Sequence, residues 1–285
     1  MSFYWVYDIP SWLFGTLPVL VFGAFASGGL LLTRKCVVSL IGHHKENDVV
    51  SFFMGTIGVF YGITLGLIAV GTYTTFADVD RAVSEEAASV AAIYRDVSIY
   101  PEPARSMLRH QIEAYTDYVI NDSWPAQRKG IVPVAGSIRA TDLQVALASF
   151  NPTTEGEKAL HAETLRQFNN LTEKRRLRIQ STTSGLPSTM YIVIFLGALI
   201  TIATSWLFVV ENLKLQTILT TLMASLLGLL IFLIVAMDHP FRGTFSVGPD
   251  AFEIVRDQLM RPVEIAPPCS ACAARQSQLI TSTGE

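Results

Sequence analysis

Formal charge is scarce in this sequence. Only 16% of its 285 residues are Asp, Glu, Lys or Arg, 50% are hydrophobic, and the mean hydropathy is +0.39. A soluble domain carries about 25% charged residues. The shortage is concentrated: no charge occurs between Asp8 and Arg34, Asp48 and Asp78, Arg178 and Glu211, or Lys214 and Asp238. Each interval exceeds the ~20 apolar residues that cross a bilayer as a helix. Four such runs leave too little polar chain to bury them in a soluble fold. The predicted fold class is all-α: a polytopic membrane protein with four transmembrane helices and an inserted helical soluble domain.

Other absences narrow the function. A net charge of -3 offers no basic excess for nucleic acid. No G-x-S-x-G, H-E-x-x-H or phosphate-cradling G-K-[ST] sequence is present, so the reading is of a non-enzyme without a cofactor. The spans hold no carboxylate, lysine or histidine that would mark a proton relay or coupled transporter. Nor is there a pair of broken spans in matching halves, as secondary transporters have. Cysteine is equally rare: Cys36 stands alone at a span end, and Cys269 and Cys272 form a single C-x-x-C in a Pro-, Ala- and Ser-rich tail. One such pair is weak evidence for metal or redox chemistry, and two incidental thiols is the plainer reading. No positively charged stretch precedes the first span, which therefore reads as an anchor and not a cleaved signal.

What is present divides the chain into 1–77, an interfacial segment with spans one and two; 78–186, a soluble helical domain; 187–240, spans three and four; 241–260, a helical segment; and 261–285, a disordered tail. Phe3, Tyr4, Trp5, Tyr7 and Trp12 gather ahead of span one, as in an aromatic belt. The loop after span one carries His43, His44 and Lys45; adjacent histidines on a loop are more simply solvated than ligands. The segment 78–186 holds 13 Lys/Arg and 14 Asp/Glu, an even balance. Val79, Val83, Val90, Tyr94 and Val97 fall on one helical face directly after span two, predicting one long helix that leaves the membrane and stops near Tyr100. A second helix is expected over about 102–121, then a loop through Trp124, Pro125 and Pro133. Thr154 and Glu157 form a capping box opening a helix to about Thr183. Counted over short loops, Lys and Arg do not decide orientation.

Span two is the most distinctive. Gly58, Gly62, Gly66 and Ala69 lie within about 80° of one another at helical spacing, a small-residue stripe that lets another backbone approach. The opposite face carries Phe60, Thr64, Leu67 and Gly71, which suits a pore lining, a lipid surface or another span alike. In spans three and four, Thr201, Ser205, Thr220, Thr221 and Ser225 read as packing positions. At the end of span four, Met237-Asp238-His239-Pro240-Phe241-Arg242-Gly243 reads as a structural exit. Asp238 and His239 meet the wet interface, Pro240 ends the helix, Phe241 anchors in the interface and Gly243 permits a turn. A catalytic Asp-His pair is the less favoured reading. Asp250, Glu253 and Asp257 are weak candidates for a hard cation. With Pro249 before them they fit better as the favourably charged start of a helix.

The span-two exit, with Phe76, Asp78, Ala82, Val83 and Glu86, the Trp124-Pro125 pair, and Asp238, Pro240, Phe241 and Gly243 together resemble the bacterial bestrophin-like membrane proteins, distant relatives of bestrophin anion channels. The resemblance covers residues 1 to about 260. It implies a four-span protomer in the inner membrane, with the helical domain and both termini cytoplasmic. It also implies a homo-oligomer, a pentamer by analogy, whose second spans surround a pore for small inorganic anions. The sequence departs where bestrophins carry aromatic neck residues: Ile63 and Leu67 stand in that region, with Phe60 nearby. The acidic calcium clasp has no counterpart beyond Asp250, Glu253 and Asp257. The alternative is a non-conducting scaffold or sensor whose soluble helices bind a protein partner.

Overall fold

The structure, a computed structural model, describes residues 11–41, 47–243 and 245–261. Among them every regular element is helical: α1 (Ser11–Ile41), α2 (Asn47–Val97), α3 (Ala104–Tyr118), α4 (Trp124–Arg128), α5 (Ala135–Ser149), α6 (Glu155–Ser181), α7 (Ser188–Trp206), α8 (Leu213–Asp238) and α9 (Asp250–Val255). Helices α1, α2, α7 and α8 are long and apolar enough to cross a membrane. The aromatic cluster Phe3–Tyr7, His43, His44 and the Cys269–Cys272 pair lie outside the described residues.

The chain forms two compact units. One comprises 1–82, 126–132 and 176–248; the other 83–125, 133–175 and 249–285. Helix α2 runs without interruption for 51 residues from the first into the second. It has no internal Pro to remove an i→i−4 hydrogen bond.

The first unit is built on the spans. Ala26 from α1, Tyr61 and Leu65 from α2, Ile194, Ala198 and Ile202 from α7, and Ala224, Leu227, Ile231 and Ile234 from α8 form its core. In lipid, close packing and not burial from water holds such helices together. The closest approaches fall on small residues of α1, α7 and α8. A Cβ at Gly228 would sit 2.8 Å from the Pro18 carbonyl oxygen, one at Gly23 3.1 Å from Ser225 Oγ, and Gly29 lies against the Trp206 ring. Thr201, Ser205 and Thr220 are buried as packing positions. Outward, the spans present Leu20, Leu32, Phe52, Phe60, Leu67, Ile192 and Leu222, an apolar exposure that only lipid or another apolar chain satisfies. The protein is a membrane protein.

In the second unit, Val83, Val90, Tyr94 and Val97 of α2 are buried at the predicted helical spacing. The Tyr115 hydroxyl donates to the fully buried Glu86 at 2.8 Å, and Lys174 pairs with Glu85 at 2.7 Å. Trp124 and Phe252 meet in its core with ring centroids 6.1 Å apart. The capping box forms as expected: Glu157 N–H donates to Thr154 Oγ1 at 3.2 Å, and Glu157 Oε2 accepts from the Thr154 N–H at 3.1 Å. The loop expected after residue 121 is helical at first, a π-helical turn (Val119–Ser123) followed by α4, and opens only over 129–134, ahead of α5. The α3 helix, the π-helical turn and α4 abut, with the Trp124 N–H donating to the Val119 carbonyl, and Pro125 stands inside this run with no N–H to give.

Candidate functional site

Two features of the spans carry the residues singled out in the sequence: the surface of α2, and the polar junction where α8 ends.

Helix α2 touches the rest of the first unit along one narrow seam. Tyr61, Leu65, Ile68 and Thr72 lie within about 60° of each other at helical spacing; Tyr61, Leu65 and Thr72 are buried and Ile68 partly so. The Tyr61 hydroxyl donates to the Ile194 carbonyl at 2.7 Å, and its ring lies on Gly197 of α7, where any side chain would collide with it. This tyrosine is the anchor of α2, and its spacing from Leu65 and Thr72 was the signal available in the sequence.

The glycine stripe lies roughly 90° to one side of the seam and the Phe60 stripe roughly 90° to the other. Apart from Ala69, which packs against the core, neither is covered among the described residues. Nothing lies within 4 Å of the Cβ position at Gly55, Gly58, Gly62, Gly66 or Gly71, so these glycines face open space there. On the other side Phe60 is 70% and Leu67 69% exposed. Thr64 Oγ1 donates back to the Phe60 carbonyl at 2.8 Å, and Thr74 and Thr75 donate to the Gly71 carbonyl at 2.8 and 3.0 Å. These hydroxyls are therefore satisfied without water, while their oxygens can still accept. Only 11% of the most apolar stretch of α2 is buried, against 33% for α8.

At the end of α8 the structure corrects the expectation of a wet exit. Asp238 is buried, 5% exposed, and accepts from the Leu186 N–H at 2.5 Å and from the Tyr191 hydroxyl at 2.6 Å, while His239 Nδ1 lies 2.9 Å from Oδ2. A carboxylate can be buried only when donors replace its water, and Leu186, just ahead of α7, and Tyr191, in its first turn, supply them. Gly185 makes this close: a Cβ there would stand 2.6 Å from His239 Cε1 and 3.2 Å from Asp238 Oδ2. Phe241, expected as an interfacial anchor, is 1% exposed and part of the protein interior. After Pro240, Gly243 adopts φ +76°, the turn foreseen for it, and the Val247 N–H donates to the Pro240 carbonyl at 2.7 Å. Asp238 and His239 thus form a structural staple, with the donors of α7 in the place of a substrate.

At the opposite end of the α7–α8 hairpin, Arg34 donates to Gln216 Oε1 at 2.5 Å and to the Val210 carbonyl at 2.8 Å. Asn47 exchanges two hydrogen bonds with the Val209 backbone, at 2.7 and 3.1 Å. These clamps satisfy loop peptide groups that lipid could not. In the sequence Arg34 marks only the end of the first charge-free interval, and nothing local singles out Asn47 or Gln216.

The acidic trio after Pro249 gives no ion cage. Among the described residues no three His, Cys, Asp or Glu side chains are grouped to hold a metal. Asp257 pairs with Arg256 at 2.7 Å, and Asp250 and Glu253 occupy the first turn of α9.

The family profile described as Bestrophin-like domain matches residues 20–252. No curated protein matches the chain. Among solved structures, a bacterial Bestrophin homolog from Klebsiella pneumoniae, phased by Zn-SAD, superposes with a TM-score of 0.63 at 11% identity, covering 85% of this chain and 96% of that one. A point variant of a bacterial Bestrophin homolog from Klebsiella pneumoniae gives 0.64 at 11% identity, with 85% and 96% covered. A crystal structure described as a membrane protein variant gives 0.65 at 12% identity, again with 85% and 96% covered. At such identities the likeness is one of fold.

Proposed function

The chain belongs to the bestrophin-like family, and on that premise we propose that it assembles as a homo-oligomeric ion channel, its second spans surrounding a pore for small anions. The observation that supports this reading is the surface of α2, where Gly58, Gly62 and Gly66 on one side and Phe60 and Leu67 on the other are left uncovered by the described residues. In the assembly, Gly58, Gly62 and Gly66 face the neighbouring copy, where the lack of side chains permits close helix contact. Phe60, Thr64, Leu67 and Gly71 face the axis. A charge-free lining suits a hydrophobic constriction, which opens or closes by wetting and dewetting. Five subunits are the number suggested by kinship. The proposed placement is the inner membrane, with segment 78–186 and both termini on the cytoplasmic side.

One observation favours the alternative, a non-conducting scaffold whose helical domain 78–186 binds a protein partner. The axial stripe offers no N–H or side-chain donor to an anion, because its threonine hydroxyls are spent on the helix itself. Liposome flux separates the two. Purified oligomer reconstituted into chloride-loaded vesicles is expected to dissipate a chloride gradient in proportion to protein. A flat trace from folded oligomer would overturn the channel reading and leave the scaffold.

A further inference from the structure

The start of α5 carries a cluster that the proposed pore does not use. The helix opens at Val134 without a side-chain cap, and the N–H groups of Ala135 and Gly136 find no acceptor. Unpaired amides at a helix start attract anions through their donors and the helix dipole. An uncapped end is common, and alone it would carry nothing.

The second observation is Tyr118. It is 7% exposed, and its buried hydroxyl has no hydrogen-bond partner. A phenol is normally satisfied when buried, because an unmade hydrogen bond there is costly. The hydroxyl is directed at the first turn of α5: a Cβ on Gly136 would lie 3.7 Å from it and 3.1 Å from the neighbouring ring carbon Cε1. Glycine is thus what lets the phenol stand against this helix start.

Two arginines complete the cluster. Arg175 Nη2 would be 3.2 Å from the same Gly136 Cβ and donates to Ser137 Oγ at 3.1 Å. The Arg139 guanidinium stands over the Tyr118 ring, 5.0 Å from its centroid. Among the described residues neither arginine is ion-paired with a carboxylate. Their forked donors match the paired oxygens of an oxyanion better than a single spherical ion.

We propose that Tyr118, the first turn of α5, Arg139 and Arg175 form a binding site for a phosphate group. Its oxygens take the Tyr118 hydroxyl, the Ala135 and Gly136 amides and the two guanidinium forks, with Arg139 swinging from the ring to admit it. The phosphate comes either free in solution or on a lipid headgroup. Val134 and Ile138 stand exposed on the same turns, so an attached acyl chain would meet apolar surface. The site does not depend on conduction.

The test uses the full chain in neutral detergent, with no ion gradient. Isothermal titration with inorganic phosphate, and separately with short-chain phosphatidic acid in the same micelles, reads binding. Hydrogen exchange over 134–139 reports where it occurs. Saturable binding is expected from at least one of the two, with slowed exchange at Ala135 and Gly136. The double variant Arg139→Gln, Arg175→Gln should weaken it at least about tenfold, and Tyr118→Phe, which keeps the ring, by a smaller factor. Phosphate binding would assign the free ion; phosphatidic acid binding alone would assign the lipid source. Absence of saturable binding by both, or binding that is unchanged in the double variant and in Tyr118→Phe, would overturn the site. Circular dichroism of each variant checks that a loss is not unfolding.

Discussion

The Tyr191 hydroxyl donates to Asp238 Oδ2 at 2.6 Å, tying the first turn of α7 to the last residue of α8. With the Leu186 N–H on Oδ1, it turns the only carboxylate at the end of α8 into the fastening of the hairpin. Asp238→Ala takes the shared acceptor from two part-buried donors, and the expected loss is about 3 kcal/mol. Tyr191→Phe removes one bond to a charged acceptor that keeps its other donors, for a loss of about 1.5 kcal/mol. Urea or thermal unfolding in detergent measures both. An Asp238→Ala protein as stable as the parent would return the motif to a solvated exit.

Helix α2 continues past the apolar interval without a break. Thr75→Pro or Ala77→Pro removes an interior hydrogen bond and forces a kink, costing ~3 kcal/mol or more. Lower helical ellipticity and an altered elution volume are the expected outcomes. A variant equal to the parent in both would mean that the two ends of α2 are not mechanically joined.

Gly62→Leu and Leu67→Ala distinguish the two uncovered stripes. Because nothing lies within 4 Å of a Cβ at Gly62, a leucine there should leave the helicity of the single chain untouched and still reduce assembly. Leu67→Ala should preserve the assembly and change any flux. Multi-angle light scattering and liposome flux read the two effects. An intact, normally conducting Gly62→Leu oligomer would place the glycine stripe against lipid.

Burial holds the His161 ring below its ordinary pKa of 6.5, beside the Tyr100 hydroxyl at 2.8 Å. The folded state therefore binds fewer protons there than the unfolded chain. Its contribution to stability is present above pH ~6.5 and is lost as pH falls through the lowered folded value. The midpoint of unfolding should drop between pH 7.5 and 5.5 more steeply for the parent than for His161→Phe. Exposed Glu163, held down to about 2 chiefly by Arg166, acts lower: its contribution is present above the ordinary 4.5 and fades toward pH 2. Parallel pH profiles for parent and His161→Phe would remove the histidine from the account.

Much of the architecture was legible in local sequence because its causes are local. Charge-free length marks a span, the spacing of Val83, Val90, Tyr94 and Val97 marks the buried face of a helix, and Thr154 with Glu157 marks a helix start. Each depends on neighbours within a few turns. The α4 segment was missed because Pro125 reads as a breaker, yet the π-helical turn before it carries the helix past the proline.

Tertiary structure decided what the polar residues do. Asp238 reads as solvated until Leu186 and Tyr191, 52 and 47 residues away, arrive to replace its water. Arg34 and Asn47 find their partners in the α7–α8 loop only through the fold, and Tyr118 gains its relation to Gly136 in the same way. On α2, periodicity separates the stripes but cannot say which one is covered. Tyr61 and Gly197 choose the seam, because a ring and an absent side chain fit together across two helices. Helical periodicity and hydropathy are properties of consecutive residues, whereas a buried charge or a packed ring depends on partners that only folding brings near.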